Sequence, residues 1–366
     1  MSSVVLPKNG PEQILCLSDE ASGLSGFIVV HSTRLGPAAG GCRLWRYATD
    51  ADAVADALRL AEGMTYKNAL AGLPFGGGKA VIRMPAGHFD RAALFRAFGR
   101  AINDLGGDYI TAEDVGTSVE DMVNVAHETR FVAGLPQTTP KAGGDPSYWT
   151  ARGVFQAMTV ALERRLGLKL AGATVAVQGL GNVGWRLCQL LFAAGARLLV
   201  SEIRPDVAAK AVELFGATIL SECELIQSHV HVFAPCALGG VINSTSIPLL
   251  NAKIVCGAAN NQLASSFDGS ALANRGILYA PDFLVNAGGI INVAGECFGW
   301  PQQEVRERVD LIGIRLAQVL DVADAKKSAP HEAAISVADS IIKNTARQEL
   351  GSGESDLAPG QRSGVA

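Results

Sequence analysis

Two lysines, one aspartate and a glycine-rich turn carry the reactive chemistry open to this chain. Lys67 lies in Gly63-Met64-Thr65-Tyr66-Lys67-Asn68, and Lys79, twelve residues on, closes Leu73-Pro74-Phe75-Gly76-Gly77-Gly78-Lys79. Asp114 follows in Thr111-Ala112-Glu113-Asp114-Val115-Gly116-Thr117, and Gly179-Leu180-Gly181-Asn182-Val183-Gly184 comes much further along. A charged amine can grip a carboxylate. An amine close to a second cation has its pKa depressed, into the range of about 7–8 known for tuned catalytic lysines. When neutral it can activate water against an imine carbon. Lys79 is expected to be that base, Lys67 the charged clamp, and Asp114 the group that exchanges protons with an amine. Gly76 to Gly78 are expected to give the backbone ahead of Lys79 unusual conformations and close approach to a ligand. A lone lysine is usually a solvated surface charge. Two amines, a carboxylate and a redox cofactor together form a set that can bind and oxidise an amino acid.

The cofactor reading rests on context. Ala173 to Gln178 is an apolar β run, and Val183 to Ala194 reads as a helix, so the G-x-G-x-x-G stands between strand and helix as a dinucleotide fingerprint requires. Gly179 permits the tight turn, Gly181 admits the pyrophosphate, and Gly184 allows close helix packing. Leu180, Asn182 and Val183 complete the turn, whose helix N-terminus offers free N–H groups to phosphates. Glu202 comes 23 residues after Gly179, where an acid can hold the ribose hydroxyls. That favours NAD over NADP, although Arg204 is of the type that meets a 2′-phosphate.

The elements that must position these groups fall into two halves. Gly26 to Ser32 reads as a buried strand. Asp52 to Glu62 reads as an amphipathic helix with Val54, Leu58 and Ala61 inward, and Asp90 to Leu105 as another with Leu94, Ala97, Phe98 and Ala101 inward. Leu135 to Ser147, rich in Pro, Thr and Gly, reads as an interdomain hinge. Beyond it strands and helices alternate through Arg197–Ser201, Val230–Ala234, Ile254–Gly257 and Ile277–Ala280, the rhythm of a parallel doubly wound sheet. Val305 to Ala323 is a long helix that could return the chain to the first half. The expected fold class is α/β in two domains, an N-terminal α/β substrate domain and a C-terminal Rossmann-like dinucleotide domain. The expected boundaries are 1–138 with about 326–350 returning, 139–325, and a Gly/Ser/Pro-rich tail at 351–366 expected to be disordered.

Composition narrows the classes. The chain has 366 residues, 48% hydrophobic and 18% charged, with net charge -4, so no basic excess attracts nucleic acid. No run reaches the length of a membrane span. Met1 to Gly10 shows no basic start before an apolar stretch, so no secretory signal is expected and the expected location is the cytoplasm. Seven scattered cysteines, none in a C-x-x-C pair, read as free thiols of a reducing compartment. His229 and His231 lack partners at ligand spacing, and no metal site is expected.

On these motifs the chain resembles the glutamate/leucine/phenylalanine/valine dehydrogenase superfamily, nearest its leucine and phenylalanine branches. Further matching segments are Leu35-Gly36-Pro37-Ala38-Ala39-Gly40-Gly41, Ala234-Pro235-Cys236-Ala237-Leu238-Gly239-Gly240, Gly257-Ala258-Ala259-Asn260-Asn261 and Pro281 to Gly289. The matches run in the family's order over nearly the whole chain. The resemblance implies reversible oxidative deamination: L-amino acid, NAD and water give 2-oxo acid, ammonium and NADH. It implies that Lys79 and Asp114 are the catalytic pair and that Lys67 holds the carboxylate. It places Gly40, Gly41 and Met64 at the substrate pocket, Asn261 near substrate and nicotinamide, and Ile203, Cys236, Ala237, Asn260 and Asn286 towards the cofactor. It also implies a homo-oligomer, from dimer to octamer.

Substrate choice turns on Ala39. Family members specific for glutamate carry a lysine there, so alanine implies an uncharged, roomier pocket, and an unpaired glutamate side chain would be costly to bury. Ile290 and Val293 should add apolar wall. Tyr148 and Trp149 could stack on an aromatic substrate or simply cap the hinge. The expected substrate is a bulky apolar L-amino acid, leucine or phenylalanine, with valine or tryptophan possible. Two other readings compete. A 2-hydroxy acid dehydrogenase would need a His–acid pair, for which His127 and Glu128 are the nearest residues. A silent NAD-binding scaffold would not need Lys67, Lys79 and Asp114.

Overall fold

The computed structural model describes residues 10–136 and 142–353, with side chains up to residue 345. The N-terminal unit runs β1 (Gln13–Asp19), β2 (Leu24–Ser32), β3 (Ala38–Ala39), β4 (Cys42–Trp45), α1 (Asp50–Leu70), β5 (Gly76–Arg83), α2 (Arg91–Asn103), β6 (Tyr109–Ile110) and α3 (Val119–Ala126). Its sheet has the order β1-β2-β5-β3-β6, with β4 following β3 along β5. The β1–β2 and β2–β5 pairs are antiparallel, and the pairs made by β3 and β4 are parallel.

Helix α1 starts at a capping box of Thr49 and Asp52 and extends well past the expected end at Glu62, so Lys67 lies on its last turn. The buried stripe is Ala53, Ala57, Ala61, Thr65 and Asn68; of the expected inward residues Ala61 is buried, Leu58 packs at the edge of the core and Val54 is half-buried. The reason lies in β5. Gly76 to Gly78 are strand residues with no positive φ, so their purpose is not an unusual backbone. A Cβ on Gly77 would come within 2.1 Å of Thr65 Oγ1, and one on Gly78 within 2.8 Å of the Tyr109 ring. The missing side chains let α1 and Tyr109 close directly on the strand that carries Lys79. Helix α2 buries Leu94, Ala97 and Phe98 as expected, with Ala101 packed at the edge.

The second unit runs α4 (Ser147–Leu166), β7 (Thr174–Gln178), α5 (Asn182–Ala193), β8 (Arg197–Ser201), α6 (Pro205–Phe215), β9 (Thr218–Ile219), α7 (Glu222–Gln227), β10 (Val232–Pro235), β11 (Ile254–Val255), α8 (Ser266–Asn274) and β12 (Leu278–Tyr279). Helices α9 (Asp282–Val285), α10 (Gly288–Phe298), α11 (Gln302–Lys326) and α12 (Pro330–Gly353) complete it. The sheet is wholly parallel in the order β12-β11-β10-β7-β8-β9. That is the doubly wound dinucleotide order, and it reverses between β7 and β10, where a ligand crevice opens at the strands' C-terminal ends.

Two expectations are revised. Ser147 begins α4, so the hinge stretch ends in a helix; residues 137–141 lie outside the described residues. Both flanks of the crossing are tied to α10 and the loop after it. Gly134 and Leu135 donate backbone N–H groups to the Glu296 carboxylate at 2.9 and 3.0 Å, and Ala142 donates to Trp300 O. The long helix α11 does not itself return the chain. It packs on α4, where Arg152 forks onto Asp310 at 2.6 and 2.7 Å, and α12 is the helix that reaches α1. The expected tail overlaps α12 through residue 353, and the rest of it lies outside the described residues.

Candidate active site

Lys79 projects from β5 and is 4% exposed. Its Nζ lies 2.9 Å from Asp114 Oδ2, the same oxygen that accepts from Arg43 Nε at 3.1 Å. Arg43 continues to Asp56 at 2.9 Å, which also accepts from the Tyr47 hydroxyl at 2.6 Å. Asp114 is held by a turn: its N–H donates to Thr117 Oγ1 at 2.9 Å. Gly116 (φ +83) lies so close to Leu44 O that a Cβ there would come within 2.0 Å. Burial alone would raise the Asp114 carboxyl, but Lys79 and Arg43 outweigh it and hold the carboxyl at about 2.

Lys67 approaches from α1. Its Nζ donates to Asn260 Oδ1 at 3.1 Å, and Asn286 Nδ2 donates to the same oxygen at 2.8 Å. Burial pulls the Lys67 ammonium down to about 8, opposed by the charge of Asp282 and reinforced by that of Lys79. The amine expected as the charged clamp is thus itself depressed by burial. Lys67 faces a neutral amide, whereas Lys79 has a carboxylate against it. The Asp282 carboxyl is raised by burial while accepting N–H groups of Gln262 and Phe283, each at 2.7 Å.

These groups line one cleft of about 330 Å³ between the two units. From the N-terminal side come Gly41, Met64, Lys67, Lys79 and Asp114. From the other side come Val183, Asn260, Asn261, Asn286, Ile290 and Val293. Leu60, Met64, Ile290 and Val293 add apolar side chains to the same lining. Asn261 has a positive φ of 52, an uncommon conformation for a residue other than glycine and one asparagine tolerates. Arg43 and Asp282 also line the cleft and were not singled out from sequence. Asp282 stood inside a matching segment, and the Cys42-in, Arg43-out alternation of β4 was a readable signal.

Ala39 and Gly40 are not on the cleft wall. Ala39 is 1% exposed and belongs to the large apolar cluster on which Ile290 also packs. A Cβ on Gly40 would strike Gly78 O at 1.8 Å, so Gly40 serves sheet packing. Tyr148 and Trp149 stack edge to face with centroids 5.1 Å apart at the start of α4. Their neighbours Pro146 and Thr150 line the cleft, and they do not. His127 caps α3 and Glu128 pairs with Arg100 at 3.5 Å, both outside the cleft. His231 Nδ1 accepts the N–H of Thr174 at 2.9 Å.

The fingerprint lies beside this cleft, and its residues suit a dinucleotide. Gly179 (φ +89) leaves no room for a Cβ, which would meet Ala237 Cβ at 2.7 Å. Gly184 sits under Gly179 O, 2.0 Å from where its Cβ would be, and 3.2 Å from Cys236 Cβ. A Cβ on Gly181 would meet nothing within 4 Å, and Gly181 begins α5 without a side-chain cap. Open space before uncapped N–H groups fits an incoming pyrophosphate. A crevice of about 480 Å³ continues from Leu180, Gly181 and Asn182 to Arg204 and Lys210. Ile203 is fully exposed at its rim. Glu202 differs from expectation. Its side chain is 5% exposed and accepts from Leu180 N at 2.7 Å and from Arg204 N and Nε at 3.0 Å each. Hydrogen bonds from Arg204 and the loop hold the carboxyl at about 2.

A doubly wound dinucleotide domain facing a second α/β unit across a cleft with two amines and a carboxylate defines a two-domain oxidoreductase. The family comparisons agree. Residues 11–131 match the model described as Glu/Leu/Phe/Val dehydrogenase, dimerisation domain, and residues 145–204 and 200–348 match Glutamate/Leucine/Phenylalanine/Valine dehydrogenase. Leucine dehydrogenase of Geobacillus stearothermophilus is 45% identical over 91% of this chain and 90% of its own. Valine dehydrogenase of Streptomyces albus is 46% identical over 80% and 81%. The crystal structure of L-tryptophan dehydrogenase from Nostoc punctiforme superposes with a TM-score of 0.82 at 39% identity, covering 93% of this chain and 98% of that one. The chain belongs to the glutamate/leucine/phenylalanine/valine dehydrogenase family and is an amino acid dehydrogenase.

Proposed function

We propose that the protein reversibly deaminates a bulky apolar L-amino acid with NAD, giving the 2-oxo acid, ammonium, NADH and a proton. The observation that carries this is the convergence of Lys67, Lys79 and Asp114 in one cleft that is also lined by apolar side chains and by Val183 of the glycine fingerprint. Lys67 and the amide of Asn260 bind the substrate carboxylate, which fixes Cα, an orientation effect. Bound in the adjoining crevice, the nicotinamide supplies the acceptor for the hydride that leaves Cα. The resulting iminium carbon is attacked by a water whose proton Lys79 takes. The 2.9 Å contact places Lys79 and Asp114 within reach of proton exchange, and Arg43 keeps Asp114 ionised between turnovers. Lys79 then passes that proton through Asp114 to the amine nitrogen, and the carbinolamine hydroxyl gives its own proton to Lys79 as the C–N bond breaks. The departing ammonia takes that proton to leave as ammonium, the substrate having bound as the neutral amine.

Leu60, Met64, Ile290 and Val293 of the cleft lining meet the substrate side chain. The names of the leucine, valine and tryptophan enzymes support an apolar substrate, and a pocket of this breadth separates neighbours by only about 1–3 kcal/mol per methylene. The match to a dimerisation domain supports a homo-oligomer. Seven free cysteines support a cytoplasmic location, and among the described residues no helix is long and apolar enough to cross a membrane. NADH absorbance with a panel of L-amino acids tests the reading. Leucine, phenylalanine or a similar side chain should give NADH. Reduction only with 2-hydroxy acids would refute it.

A further inference from the structure

We infer that the adenosine end of the cofactor crevice also accepts a 2′-phosphate, so that the enzyme uses NADP as well as NAD. This rests on the proposed dehydrogenase reading and extends it to the nucleotide. A dinucleotide fold selects against the extra phosphate by presenting a free carboxylate to the ribose diol. Here that carboxylate is spent. Glu202 Oε2 takes the N–H of Leu180 and lies 3.3 Å from Arg204 Nη2, while Oε1 takes the backbone N–H and Nε of Arg204. With about four acceptor sites on a carboxylate, little is left for a ribose hydroxyl. The side chain is also covered, 5% exposed beneath an arginine that is 53% exposed.

Arg204 replaces the acid at the surface. It is braced by its own contacts, with Nη2 also donating to Leu180 O at 3.0 Å, so the guanidinium is oriented before any ligand arrives. The crevice wall carries Arg186, Arg204 and Lys210 and no carboxylate. Arg186 is paired with Asp145 at 2.8 Å and Arg204 with Glu202 at 3.0 Å, and Lys210, on the second turn of α6, is a further cation of the wall, beside Arg204 at the start of that helix. Arginine is well suited to such a dianion because its planar fork matches phosphate oxygens. The reaction balances as with NAD: amino acid, NADP and water give 2-oxo acid, ammonium, NADPH and a proton.

Two measurements on the full chain test this. By calorimetry, adenosine 2′,5′-bisphosphate should bind at least tenfold more tightly than 5′-AMP, since the two differ only in the 2′-phosphate. Arg204→Ala should remove most of that difference, and Lys210→Ala part of it. In turnover, NADP should support deamination with kcat/KM within about tenfold of NAD, and Arg204→Ala should lower the NADP-to-NAD ratio by about tenfold or more. Equal or weaker binding of the bisphosphate, an unchanged ratio in Arg204→Ala, or reduction of NAD alone overturns the inference. If no amino acid reduces either cofactor, the deaminase reading fails, and the nucleotide comparison still decides the 2′-phosphate site.

Discussion

At the scale of single residues, Lys79 and Lys67 do different work because different groups face them. Lys79 shares Asp114 with Arg43, and the proton path of the proposed mechanism runs through that oxygen. Lys79→Ala should lower kcat by about 10²–10⁴-fold while leaving the dissociation constant for NAD nearly unchanged. Near-native turnover would remove Lys79 from the chemistry. Lys67 carries charge only below its pKa, which burial lowers from 10.5 to about 8. Its grip on a carboxylate is therefore present at lower pH and lost as pH rises through about 8. A 2-oxo acid, which has no amine of its own to titrate, should bind about tenfold more weakly per pH unit above that point. Lys67→Gln should bind weakly at every pH, and a pH-independent wild type would contradict the assignment. If residue 39 governs side-chain choice, as the family resemblance implies, Ala39→Lys should move preference towards acidic side chains. An unchanged substrate profile would show that residue 39 does not reach the substrate.

At the scale of elements, the site depends on α1 lying directly on β5. Gly77→Ala places a Cβ against the Thr65 backbone at 2.2 Å, which should destabilise the fold by about 1–3 kcal/mol. Gly63→Ala, on the same helix with nothing within 4 Å, should stabilise it by about 0.5–1 kcal/mol. Urea midpoints of the two variants should move in opposite directions, and a common shift would refute the packing argument. The second unit was the more legible one. Its strands and fingerprint were readable because parallel strands buried on both faces are continuous apolar runs and the glycine turn has a fixed pattern. The N-terminal sheet was harder, since β3 and β6 are two residues each and β4 is four. So short a strand leaves no period to count.

At the scale of the whole molecule, the cleft exists because the chain crosses between its units and α12 comes back to α1. Glu296 on α10 holds both Gly134 and Leu135 of the crossing. The N-terminal unit matches a dimerisation domain, so sedimentation should show a species larger than the 38.1 kDa monomer. A monomer alone at micromolar concentration would contradict the assembly.

The residue types that do the chemistry, the glycine turn and the two-domain α/β class were determined by the sequence, because each depends on local pattern or on side-chain identity. Which groups meet was decided only by the tertiary structure. Asn260 against Lys67, Arg43 between Asp56 and Asp114, and Arg204 over Glu202 are contacts that no spacing announces. The electrostatics followed those contacts. Burial and the nearest charge set a pKa, and both belong to the folded neighbourhood rather than to the residue.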